Sequence, residues 1–247
     1  MGDTRTAELT DPAELARRIH SLYGEVDWPR ATGILHVAAI QDRPPIVIAL
    51  GPAAPASPVD RFVLGLARAR ADAIVTSGSI LRAEPDLLHR YAEDDAEQAA
   101  FARWRREVLG RRDWPSLVVL SGSGAFPTDH PALAAAGAGF VWTSPEGRDH
   151  IGAGLPESLS VEITDRPARS LAESVCQALE HARAKQGART ILIEAGPTIA
   201  TTLYPDQPDQ PDQPDQRQCT DPGRDQRPDR RSLRGSRIGR RAATPML

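Results

Sequence analysis

Residues 71–85 read ADAIVTSGSILRAEP, and this stretch decides the fold. Ala73 to Val75 is an apolar run of strand type, Thr76-Ser77-Gly78-Ser79 is a turn of small residues, and a helix begins behind it. A turn without bulk lets backbone N–H groups approach an anionic ligand, and a helix N-terminus adds positive partial charge. ILIEAGPT at residues 191–198 repeats the design, with Glu194 and Gly196 at the strand's end. Two such strand–turn units imply a phosphate-bearing cofactor lying across the carboxyl ends of a parallel sheet.

On either side the chain alternates between helical and strand periodicity. Asp11-Pro12-Ala13-Glu14 combines an N-cap, a proline at the first helical position and a carboxylate placed for a capping box. Leu15, Ile19 and Leu22 follow at helical spacing, and Gly24 ends the segment. The runs GILHVAAI and PIVIAL read as buried strands, and Ser57-Pro58 opens a helix with Val59, Phe62, Val63 and Leu66 on one face. Further on, a helix spans about 94–109 with the stripe Phe101, Trp104 and Val108, then Gly110 stops it. SLVVL is a strand ending in the turn Ser121-Gly122-Ser123-Gly124, PALAAAG a short helix, and GFVWT and LSVEI two more strands. A last long helix covers about 167–186, with Leu171, Val175, Ala178, Leu179 and Ala182 on its stripe and Gly187 at C′. Apolar strands separated by amphipathic helices define an α/β layered fold with a central, largely parallel sheet flanked by helices.

Composition narrows the function classes. A net charge of −3 over 247 residues argues against nucleic acid or an anionic membrane as an obligatory partner. The opening residues carry no apolar signal region, and no run is long enough to span a bilayer. The only cysteines are Cys176 and Cys219, so no structural disulfide and a cytoplasmic location are expected. The patterns HExxH, Walker A, G-x-G-x-x-G and G-x-S-x-G are all absent, and the histidines show no metal-ligand spacing.

Past Tyr204 the material changes. Residues 205–216 are four Pro-Asp-Gln triplets, and arginine, aspartate and proline dominate from Arg217 to the end. Such a segment cannot bury enough surface to offset its ordering entropy. Two readings stand: a solvated, disordered tail, or an out-of-frame product of the tandem repeat in a GC-rich coding sequence. A tail that binds RNA is disfavoured, because aspartates interleave with the arginines and no aromatic residue follows Tyr204. The expected organisation is an N-terminal helical extension at 1–32, an α/β domain at 33–204 and the tail at 205–247.

ADAIVTSGSILRAEPDLLHR followed far downstream by ILIEAGPTIATTLY resembles the paired motifs of the pyrimidine reductases of riboflavin biosynthesis. The resemblance covers roughly residues 33–204. It implies a dihydrofolate-reductase-like fold, NADPH as cofactor, hydride transfer to a ribosylamino-pyrimidine phosphate or related small substrate, and a homodimer. Carried over by position, Ser77, Gly78, Ser79 and Ile80 would hold the cofactor's diphosphate or ribose. Glu194, Ala195, Gly196, Pro197 and Thr198 would line it at the second turn, and Ser121 and Gly122 would meet the adenosine half. Arg90 would bind the substrate's phosphate, which its guanidinium fork suits.

The sequence also departs from that family. The "SLDG" element with its substrate-facing aspartate corresponds to ALGP at residues 49–52, which has no carboxylate. The aspartate pair before the proline is reduced to Ala83-Glu84, the first glycine of "EGGP" is Ala195, and the strands expected after Tyr204 are not found. No catalytic residue is therefore assigned from sequence. Each turn also has a purely structural reading, Arg90 could be a solvated salt-bridge arginine, and Glu194 could cap a neighbouring helix. A non-catalytic or degenerate nucleotide-binding protein is the alternative.

Overall fold

The computed structural model describes residues 11–36, 40–42, 45–47, 57–163 and 168–203. The chain divides into two units, residues 1–206 and 207–247, and every described residue belongs to the first. The Pro-Asp-Gln tail and the ALGP stretch therefore lie outside the described residues.

The first half runs α1 (Pro12–Tyr23), β1 (Gly33–His36), β2 (Ile40–Asp42), β3 (Pro45–Val47), α2 (Pro58–Arg70), β4 (Ala73–Ser77) and α3 (Gly78–Ala83). The second half runs α4 (Asp95–Glu107), β5 (Ser116–Leu120), α5 (Pro131–Ala134), β6 (Gly139–Thr143), α6 (Pro145–His150), β7 (Leu159–Ile163), α7 (Leu171–Gln186), β8 (Thr190–Ile193) and α8 (Gly196–Leu203). Helix starts are set by local side-chain caps, which satisfy N–H groups that lack an intrahelical partner. Asp11, Ser57, Asp94 and Ser170 each accept a hydrogen bond from a first-turn backbone N–H. Gly24, Gly110 and Gly187 take the positive φ that their stop positions need.

Six strands form one all-parallel sheet in the order β1-β8-β4-β5-β6-β7. Every residue of β4 is buried, as expected of a parallel strand with both faces covered. Successive side chains go to opposite layers. Ala73 and Val75 pack with Val175 and Leu179 of α7 and Ile199 of α8. Ile74 packs with Leu192 and with Ala67 of α2. On that same second face, Leu117 and Val119 meet Leu81 of α3 and Leu133 of α5. α1, α2 and α4 build an outer layer around Leu15, Ile19, Phe62, Phe101 and Trp104. Each such fully buried large apolar side chain contributes roughly 1.5–3 kcal/mol.

The structure corrects several expectations. Among the described residues of GILHVAAI and PIVIAL, β1 enters the sheet, whereas β2 and β3 pair antiparallel as a separate two-stranded hairpin, Ile40 opposite Val47. The reason is length, since parallel neighbours need a crossover of about a dozen residues, and the link between the two runs is too short. α6 has no counterpart in the sequence reading, although Ser144-Pro145 signals it and the Ser144 hydroxyl accepts from Gly147 N at 3.0 Å. The last long helix starts at Leu171 rather than near 167. In four predicted stripes one terminal member is exposed: Leu22, Val59, Val108 and Leu171. In each case the pattern outruns the layer it packs on. Cys219 lies outside the described residues, and with it the expectation of no disulfide.

Candidate functional site

β4 lies between β8 and β5, so the three turns that leave these strands stand side by side at the sheet's carboxyl edge. They touch. A methyl group added to Gly78 would lie 2.8 Å from the Ser121 hydroxyl oxygen, and one on Gly196 would lie 3.2 Å from the Ile80 Cδ1. After β4 the chain passes into α3, whose Leu81 packs on one face of the sheet. After β8 it passes into α8, whose Ile199 packs on the other face. Adjacent parallel strands whose helices depart to opposite faces leave a crevice between their carboxyl ends, the usual ligand position in open α/β sheets.

Apart from Glu194, the residues of these turns are uncharged and rich in donors. The Ser77 hydroxyl accepts from Ile80 N at 3.3 Å and lies 2.8 Å from the Ser79 hydroxyl. Gly78 and Ser79, at the start of α3, have no intrahelical partner for their N–H groups. Ser79 is exposed, while Ser77 and Gly78 are buried behind it. Ser121 is buried and its carbonyl accepts from the Thr143 hydroxyl at 2.7 Å. Gly122 is exposed, and a side chain there would meet nothing within 4 Å. Gly196 holds φ at +75°, a conformation that bulky L-residues avoid. Buried Ala195 precedes it, and Pro197 and the exposed Thr198 follow in the first turn of α8. Main-chain donors with glycines at the points of close approach fit a nucleotide's phosphates, so these residues suit the cofactor that the resemblance implies.

Glu194 has a different environment from its neighbours. Its carboxylate is 9% exposed and receives both arms of the Arg68 guanidinium, Nε at 2.8 Å and Nη2 at 2.7 Å. The remaining Arg68 nitrogen donates to the Arg90 carbonyl at 2.8 Å. His89 Nδ1 lies 3.5 Å from the same carboxylate. Burial alone would push the carboxyl up, but the Arg68 charge and hydrogen bonds overcome it, with a smaller share from His89, and hold it at about 2. Glu84, at the end of α3, is shifted the other way, first by burial and then by the Glu194 charge. Two carboxyls in one neighbourhood are thus pushed apart, a pattern common where one must stay ionised and the other hold a proton.

Sequence reasoning missed Arg68, His89 and Glu84. No local pattern marks Arg68, because its partner is 126 positions away. Glu84 carries a signal, as it stands where the resembled family has an acidic pair before proline. The Arg90 side chain is 38% exposed and its guanidinium pairs with Asp95 on α4. Among the described residues no helix is long and apolar enough to cross a membrane.

Fold and site together define an α/β protein with three small-residue turns in contact at the carboxyl edge of its parallel sheet. No family model matches the chain, and no curated protein is similar to it. Among solved structures, RibD of Acinetobacter baumannii in form 1 is 19% identical with a TM-score of 0.45, over 69% of this chain and 41% of that one. A pyrimidine reductase-like protein of Corynebacterium diphtheriae is 20% identical with a TM-score of 0.49, over 73% of both chains. The chain thus spans well under half the length of the first protein.

Proposed function

We propose that the chain is an NADPH-dependent reductase of the pyrimidine-reductase type, acting on a ribosylamino-pyrimidine phosphate or a related small imine or carbonyl compound. The observation that carries this reading is the contact of the three small-residue turns at the β8–β4–β5 edge, where a dinucleotide can lie along one continuous rim. When bound, the cofactor supplies the hydride, and the protein's share is to bind, orient and protonate. Ser77, Gly78, Ser79 and Ile80 hold the diphosphate or ribose, Ser121 and Gly122 take the adenosine half, and Ala195, Gly196, Pro197 and Thr198 line the far side. Arg90 leaves Asp95 to meet the substrate's phosphate. Glu194 acts by fixing Arg68 and His89, and Glu84 holds the proton that a reduced substrate must receive.

A thermal melt with and without excess NADPH tests the reading. At a hundredfold excess over Kd, a ligand specific for the native state adds about 2.7 kcal/mol, or roughly 5–10 °C for a chain of this size. Gly196→Val, which must adopt a positive φ against Ile80, is expected to abolish that shift while leaving a cooperative transition. No shift in the parent chain would sink the assignment.

Replacing Glu84 with glutamine is expected to lower turnover by about 10²-fold, the lower end of general acid effects. The NADPH-induced shift should be retained. Because the Glu84 pKa is raised, the parent's rate should fall as pH rises through that raised value, and the glutamine variant should lack this limb. A pH profile identical in both proteins would remove Glu84 from the reaction.

The second reading, a non-catalytic nucleotide binder, draws on Arg68, which already neutralises the best-placed carboxylate. An NADPH-induced shift with no oxidation beside any pyrimidine or pterin substrate would favour it.

A further inference from the structure

α3 is tied along its length to the segment that follows β5. Leu81 in its middle packs with Phe126, Ala132 and Leu133. Apolar contact of this kind is non-directional and does not by itself fix how the helix end is turned. Polar contacts at the end of α3 supply the direction. Arg82 donates to the Ala125 carbonyl, and the Glu84 carbonyl stands 2.9 Å from the ring nitrogen Nε2 of His130. Arg82 is exposed, whereas His130 is 2% exposed and forms the buried tie.

The two ring nitrogens of His130 have different tasks. Nδ1 accepts a hydrogen bond from Ala132 N at 3.1 Å, as the N-cap of α5, so it carries no proton. Nε2 faces a carbonyl oxygen, which can only accept, so Nε2 is the N–H donor. Both bonds require the same neutral tautomer. The Glu84 main chain is anchored by three bonds. Its N–H donates to Ile80 O at 2.9 Å, and its carbonyl accepts from Leu87 N at 3.1 Å as well as from His130. Ile80 and Leu87 are near neighbours in sequence, whereas His130 is 46 positions away. The bond from His130 is thus the one that relates the Glu84 main chain to another part of the fold.

We propose that His130 is a positioning residue: its Nε2–H bond straps the end of α3 to the segment after β5 and holds the Glu84 carboxyl in its half-buried place. The role of Glu84 as proton holder belongs to the reductase reading, and the functional half of this inference rests on that reading. The strap itself does not. The charged groups that act on the Glu84 carboxyl are Glu194, Arg68 and His89, and burial acts on it more strongly than any of them. A strap that governs burial therefore governs how far this carboxyl is raised above its ordinary value.

Two substitutions divide the tasks of the ring. His130→Asn keeps an oxygen where Nδ1 stands, and asparagine is a favoured N-cap, but its amide is too short to reach Glu84. His130→Gln can put an amide N–H where Nε2 stands, but glutamine is not among the favoured N-caps. The readout is the Glu84 carboxyl signal, followed by NMR against pH in the full-length chain without cofactor or substrate, with Glu84→Gln assigning it. In His130→Asn the Glu84 pKa should fall back towards 4.5, and in His130→Gln it should stay raised. Turnover with NADPH should follow the same order, His130→Asn losing roughly tenfold through misplacement and His130→Gln keeping most of it. A role confined to capping α5 predicts the opposite order. An unchanged Glu84 titration in His130→Asn, equal shifts in the two variants, or turnover that follows the cap would overturn the proposal. If either variant fails to fold, the parent still decides: NMR of its imidazole nitrogens at mildly alkaline pH should find His130 with its proton on Nε2. A proton on Nδ1 would overturn the strap. Titration and tautomer need no reaction, so the expected titration without any turnover would refute the reductase reading and leave the strap standing.

Discussion

Replacing Arg68 with methionine is expected to lower stability by about 3–5 kcal/mol at neutral pH, because it leaves a buried carboxylate without its counter-charge. Methionine keeps most of the stem's packing, so the loss reports the guanidinium and not a cavity. The pH dependence identifies the mechanism. The folded-state pKa of Glu194, about 2, lies below its ordinary value of 4.5. The Arg68–Glu194 pair therefore contributes fully above about pH 4.5, and the contribution is lost as pH falls towards 2. In the methionine variant only burial and a neighbouring histidine remain, so the Glu194 pKa rises and acidification relieves the strain instead of adding to it. His89 at 3.5 Å offers a replacement cation only when protonated, which works in the same direction. The gap between the two proteins should be widest near pH 7 and close steadily towards pH 3. Urea melts across that range measure it. A gap below about 1 kcal/mol at pH 7, or one that widens on acidification, would show that the pair is not what neutralises Glu194. Arg68→Met combined with Glu194→Gln should recover much of the loss, since the uncompensated charge is then gone.

The same pair marks the boundary between what the sequence made legible and what it did not. Strands such as Ala73–Ser77 and Thr190–Ile193 were readable because a parallel strand buried on both faces is a continuous apolar run. Helix starts at Asp11, Ser57 and Asp94 were readable because a cap is a contact between near neighbours in sequence. The turns at Ser77–Ile80 and Glu194–Thr198 could be picked out for the same reason. Their contact with each other could not, because it depends on β8 inserting between β1 and β4. That insertion also brings Arg68 of α2 against Glu194, and no periodicity anticipates it. The strand character of the hairpin at Ile40–Val47 is legible, but its pairing direction is not given by composition; only the short link carries that information. Arg90 stands at a motif position, and its pairing with Asp95 on α4 is set by a contact that the motif does not encode.

Arg105→Met should cost about 3–4 kcal/mol, the other large effect expected of a single substitution, although the residue lies on the amino-terminal side of the sheet, away from the crevice. Arg105 is 2% exposed on α4, and its guanidinium donates to the carbonyls of Ala69, Ala71 and Arg112. The Ala69 carbonyl belongs to the last turn of α2, where four C=O groups lack intrahelical partners, and a cation there also meets the negative end of the helix dipole. Arg105 is thus a cap for α2 supplied by another helix, and it ties the end of α2 to the start of β4. Charged hydrogen bonds are worth roughly 1.5–3 kcal/mol each when lost from a buried site, and they share one guanidinium, so the total is less than their sum. Arg105→Lys keeps the charge but cannot reproduce a planar fork reaching carbonyls on two sides, and is expected to recover no more than about half. Equal stability of the lysine and methionine variants would show that fork geometry, not charge, carries the effect; equal stability of lysine and parent would show the reverse. A loss of under 1 kcal/mol in the methionine variant would remove the cap from the account. Arg68 lies one residue before Ala69, so loosening this end of α2 also displaces the guanidinium that holds Glu194. Both substitutions should therefore weaken the crevice along with the fold, and the double variant should lose less than the sum of the two.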